Sequence, residues 1–99
     1  MVIAGEKWQL VEGIHLSWRI WDEEFVVYNH GSGDTHLLDE PAAVTLHLFE
    51  TKPDPVNLED VVFRLTDIFE AESSEDLYAH GQDILFNLQR LGLIETSSL

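Results

Sequence analysis

Hydrophobic and polar positions change period once along this chain, and the change falls at Asp39. From residues 14 to 21, Ile14, Leu16, Trp18 and Ile20 alternate with His15, Ser17, Arg19 and Trp21. A period of two predicts a strand with one apolar face. Asp22-Glu23 reads as a turn. Residues 24–30, EFVVYNH, then read as a second strand rich in β-branched and aromatic residues. Gly31-Ser32-Gly33-Asp34 predicts another turn, since both glycines accept positive φ at little cost. Thr35 to Leu38 complete a short third strand, giving an antiparallel meander of adjacent hairpins.

After Asp39 the period becomes helical. Asp39 or Glu40 can cap a first helix, with Pro41 in its opening turn, where a missing N–H costs nothing. Ala42, Leu46 and Phe49 form its stripe, and Pro53 and Pro55 end it. Leu58, Val61, Val62, Leu65, Ile68 and Phe69 then repeat at helical spacing. Asn57 is the natural N-cap, Asp60 lies near the positive helix end, and Glu59, Asp67 and Glu70 occupy other faces. Ser73 or Ser74 starts a third helix, lined by Leu77, Ile84, Leu85, Leu88 and Leu91 and closed by Gly92 as a left-handed C′ residue. Leu93-Ile94 packs back onto the body. Residues 1–13 read as a lead-in ordered in part by Trp8 and Leu10.

Composition narrows the class. Ninety-nine residues, 44% of them hydrophobic, suit one domain with a single modest core spanning about residues 8–95. Without cysteine, neither a disulfide nor a thiolate metal site is available. The opening MVIAGEKWQLVEG has no basic stretch followed by a long apolar run, and no window reaches the length of a membrane span. These features lead us to expect a cytoplasmic chain without a membrane partner. Nineteen acids face five bases, Lys7, Arg19, Lys52, Arg64 and Arg90, for a formal charge of −14. Such a surface repels a phosphate backbone and favours either solubility alone or a basic partner. The second helix has one arginine against the acids between Glu59 and Glu72, so a DNA-reading helix is not expected.

Catalytic signals are absent. Gly31-Ser32-Gly33 is too short for a phosphate loop, is not followed by a helix and lacks its lysine. His30, Asp34 and His36 flank one hairpin, but their spacing matches no metal motif, and polar residues at a hairpin end explain them. No nucleophile–His–acid set stands out. We therefore expect no enzyme, no cofactor and no metal. Trp18 is assigned to the core and Trp21 to the opposite, exposed face, where it can anchor a partner. The third strand, Asp34, Thr35, His36, Leu37 and Leu38, lies at a sheet edge with backbone groups open to another strand. Tyr78, Gly81, Gln82 and Leu85 form a second stripe on the last helix. Gly81, costly inside a helix, permits close approach of a backbone there, or else serves core packing.

The run SGDTHLLDEPAAVTLHLF, the helix start NLEDVVFRL and the closing LQRLGLIE together resemble the PqqD family. The opening WRIWDEEFVVYNHGSGDTHLLD is most similar to its subgroup from HPr-kinase-related systems. The resemblance covers about residues 8–95 and implies an α+β, winged-helix-like fold: a three-stranded antiparallel meander followed by three helices. It further implies a non-enzymatic peptide chaperone, a RiPP recognition element. Such a domain binds the leader of a precursor peptide as an added strand and presents it to a separate modifying enzyme, which the resemblance implies is similar to HPr kinase. The implied contacts are Asp34–Leu38 on the strand and Tyr78, Gly81, Gln82 and Leu85 on the last helix. We expect this chain to act without an adjoining enzyme domain, a departure from the pattern. The alternative is a winged-helix-like regulatory or interaction domain that dimerises without a peptide client.

Overall fold

The computed structural model describes residues 6–52, 54–69 and 73–97. The chain runs β1 (Lys7–Leu10), β2 (Leu16–Trp21), β3 (Glu24–Asn29), β4 (Asp34–Leu38), α1 (Glu40–Thr51), β5 (Val56–Asn57), α2 (Leu58–Leu65), α3 (Ser74–Arg90) and β6 (Ile94–Thr96). It is an α+β fold with two antiparallel three-stranded sheets, ordered β2-β3-β4 and β5-β1-β6, and three helices.

The hairpin sheet forms as its sequence demands. Asp22 and Glu23 both take positive φ, 56° and 68°, which turns β2 into β3 with a twist that suits the strands. Asp tolerates that region better than Glu does. At the next turn Asn29 Oδ1 accepts from Gly31 N at 2.9 Å, and Gly33 has φ 81°. Leu38 ends β4, and Asp39 caps α1 at once by accepting from Ala42 N at 3.0 Å. A single residue thus joins sheet to helix, which lays α1 across the sheet's inner face. Ala42, Ala43, Leu46 and Phe49 of α1 are buried.

Asn57 and Asp60 cap α2 reciprocally: Asn57 Oδ1 accepts from Asp60 N at 2.8 Å, and Asp60 Oδ2 accepts from Asn57 N at 3.1 Å. Asp60 also receives Lys52 Nζ at 2.8 Å, which ties the exit of α1 to the start of α2. The periodicity predicts a helix running to Phe69, whereas α2 ends at Leu65. A hydrogen-bonded turn follows and still holds Ile68 and Phe69 against the core. Ser73 caps α3 through Asp76 N, and Gly92, with φ 78°, turns the chain so that Leu93 is fully buried. Pro53 and Glu70, assigned roles in the sequence reading, lie outside the described residues.

Three expectations need correction. The lead-in contains a true strand: β1 pairs with β5 on one side and β6 on the other, and Trp8 at its centre is 3% exposed. Its partners lie far along the chain, so no local period marks it. Trp18 is only half-buried, and its Nε1 donates to Glu50 Oε1 at 2.7 Å. Ile20 is 74% exposed although it shares Trp18's face: it stands on the edge strand, where an open groove separates the sheet from Ala43 and Val44 of α1. Trp21 is exposed, as its alternation requires. Among the described residues no helix is long and apolar enough to cross a membrane.

Removing the Asp60 carboxylate should cost about 1 kcal/mol, since one end of a reciprocal cap is lost. Urea unfolding of Asp60→Ala measures it. Burial raises the Asp60 pKa, but the hydrogen bond from Lys52 and the one from Asn57 N–H outweigh it, so the folded value lies below 3.8. Stability from this carboxylate is therefore complete above pH 3.8 and is lost as pH falls through the lower folded value. The stability gap between the native chain and Asp60→Asn should shrink over that acid range.

Candidate functional site

The phase of the hairpin ladder decides which backbone groups are free. Continuing the Leu16–Asn29 register sets His15 opposite His30, and His30 N–H donates to His15 O at 2.9 Å. Bonded and non-bonded pairs alternate in an antiparallel ladder. The bonded pairs of β2 and β3 are therefore Ser17–Tyr28, Arg19–Val26 and Trp21–Glu24. Phe25, Val27 and Asn29 turn their backbone groups the other way, toward Leu38, His36 and Asp34 of β4. Thr35 and Leu37 consequently direct N–H and C=O outward. Among the described residues no strand pairs with that side of β4.

Side chains divide by the same parity. Thr35 and Leu37 lie on the outer face and are exposed, Leu37 to 68%. Asp34, His36 and Leu38 belong to the inner face. Asp34 is exposed at the turn, His36 is half-buried and Leu38 is core at 4% exposure. The ring Nε2 of His36 is enclosed and has no hydrogen-bond partner. Of the five strand residues implied by the resemblance, Leu38 is thus closed to a ligand's side chains.

On α3 the expected stripe is displaced. Leu85 is fully buried, and Gly81 faces α2. A Cβ on Gly81 would lie 2.9 Å from Leu58 Cδ1 and 3.5 Å from Val62 Cγ2. The glycine therefore serves the α2–α3 seam and not a ligand groove. Tyr78 is 38% exposed and Gln82 is half-buried. The open flank of α3 is another one. His80, Asp83, Ile84 and Asn87 line a groove of about 260 Å³ whose other wall is Asp39, Pro41 and Ala42. It begins at the residue that follows β4. The sequence shows the spacing of 80, 84 and 87, but not which flank of α3 meets α2.

Electrostatics favour cations here. Asp39 and Asp83 both border the groove, and Pro41, Ala42 and Ile84 supply its apolar floor. His30, by contrast, is on the sheet's outer face: it shares a 2.6 Å hydrogen bond with Ser17 Oγ and packs edge-on against Tyr28 at 4.6 Å. With His36 and Asp34 on the inner face, the three do not converge. Among the described residues no group of three or more His, Asp or Glu side chains is arranged to hold a metal. The outer face sets Trp21, Val26, Tyr28 and Leu37 among the polar Ser17, Arg19, Glu24 and Thr35.

The seam assignment has a direct check. Gly81→Leu should lose roughly 1–3 kcal/mol by overpacking against Leu58 and Val62. A variant as stable to urea as the native chain would put residue 81 on an open surface instead.

Comparison with family models, with curated proteins and with solved structures gives no match to this chain.

Proposed function

We propose that this chain is a non-enzymatic peptide-binding protein that takes an extended segment onto β4. The segment is a leader-type precursor peptide, presented to a separate modifying enzyme. One observation carries the reading: Thr35 and Leu37 hold N–H and C=O groups that no strand among the described residues pairs, on an edge that runs directly into the α3 groove. Strand addition there supplies affinity through the backbone and selection through side-chain pockets. An apolar side chain of the peptide fits over Pro41, Ala42 and Ile84. A lysine or arginine beside it meets Asp39 and Asp83. The overall charge of −14 draws such a basic segment in before contact. The sequence resemblance to peptide chaperones supports the same edge, although the helix contacts fall on His80, Asp83, Ile84 and Asn87 and not on Gly81 or Leu85.

A second reading is favoured by the same free edge and by the exposed Leu37: two copies pair through β4 and no client is involved. Sedimentation separates the two, since self-pairing produces a dimer without any peptide.

Titration with short peptides that alternate apolar residues and lysine should shift the amide resonances of residues 34–39 and 80–87. Shifts confined to other regions, or none with any such peptide, would sink the reading. Leu37→Pro removes an N–H that makes no ladder bond, so the sheet should survive, as circular dichroism would show. Peptide affinity should fall about two- to tenfold, the worth of one backbone hydrogen bond.

A further inference from the structure

The sheet has a second open edge. Alternation that turns Ser17, Arg19 and Trp21 toward β3 turns the N–H and C=O of Leu16, Trp18 and Ile20 outward, and no described strand pairs with them. Beside this edge lies a groove of about 390 Å³, larger than the one on α3. Trp18, Ile20 and Phe25 form its sheet wall, and Ala43 and Val44 of α1 form the opposite wall. Ile20 is three-quarters exposed beside it.

The groove holds one of the chain's five lysine and arginine side chains. Arg64 of α2 lines it and, among the described residues, has no carboxylate at ion-pair distance. Glu50 of α1 is already engaged by Trp18 Nε1 at 2.7 Å and lies 3.7 Å from His47 Nδ1. In a chain with nineteen acids, an arginine left beside an apolar trough and a bare strand edge specifies one kind of occupant. We infer that β2 docks an extended protein segment that adds as a strand, seats an apolar side chain between Trp18 and Val44, and sets a carboxylate on Arg64.

This site does not depend on what β4 binds. The two edges are separated by one intervening strand, roughly 10 Å from β2 to β4, and the two grooves share α1 but no lining residue: Pro41 and Ala42 face α3 in one, and Ala43, Val44 and His47 lie with Arg64 of α2 in the other. Their chemistries are complementary in sign. The β4 groove is bordered by Asp39 and Asp83 and takes a basic segment, whereas the β2 groove presents Arg64 and takes an acidic one. Two unlike chains can therefore sit on one sheet together, which is the geometry required of a protein that brings one chain to another.

The test uses three short acetylated peptides of alternating valine and threonine: one ending in Val-Glu, a twin ending in Val-Lys, and the Glu peptide N-methylated on alternate residues. With the full chain, the Glu peptide should shift the amides of 16–21 and 43–47 and the indole N–H of Trp18. The Lys twin should bind at least about threefold more weakly, the order expected of an exposed ion pair replaced by repulsion. N-methylation should abolish binding if the contact is strand addition. Arg64→Glu, an exposed position on α2, should reverse the preference between the twins. Leu37→Pro should leave all of these results unchanged. Equal binding of the twins, binding that survives N-methylation, shifts on 34–38 instead, or no shift at 16–21 with either twin at millimolar concentration would each overturn the proposal.

Discussion

The register of the β2-β3-β4 ladder is the constraint on which the rest depends. It is fixed at both ends by turns that leave no slack: two residues at Asp22-Glu23 and four between Asn29 and Asp34. A slip of one residue would exchange the two faces of the sheet. Val27 and Leu38 would leave the core, and the outward backbone groups of Thr35 and Leu37 would turn inward. Both functional readings therefore rest on the same geometric fact, since the two open edges are the two ends of one ladder.

Asp39 converts that register into a three-dimensional site. Because it closes β4 and caps α1 without an intervening loop, the helix must start at the sheet's corner. One consequence is a covered inner face, with Val27, Leu38, Leu46 and Leu85 in a common core. The other is that the carboxylate doing the capping also borders the α3 groove. The small sheet β5-β1-β6 has a different task. It clips the beginning of the chain between the exit of α1 and the end of α3, and Trp8 fills the space between them. Neither of its flanking strands exceeds three residues, so burial of Trp8 and Ile94, and not the length of the ladder, holds it.

Much of the fold was legible in particular residues. The caps at Asp39, Asn57 and Ser73 and the left-handed Gly92 all stand where their side chains or missing Cβ demand. The α1 stripe is buried as its spacing requires. The site was half legible. Alternation marks the edge residues Thr35 and Leu37, but Gly81 was open to two readings, and packing against Leu58 decided between them. Nothing in the spacing of α3 distinguishes the flank covered by α2 from the flank left open beside Asp39. Nor does alternation reveal that Ile20, placed correctly on the inner face, borders an open groove and stays 74% exposed.

The sequence by itself determined what is decided within a few residues: turns, caps, periods, the sign of the surface charge and the strand that can stand at an edge. These depend on local backbone chemistry, on which a residue and its near neighbours have the final word. Tertiary structure alone decided that Lys7–Leu10 is a strand, which flank of α3 is open, and that Arg64 comes to rest beside Trp18 and Ile20. Each of these joins residues tens of positions apart, and the free energy that selects them comes from burial across the whole core and not from any segment's own preference.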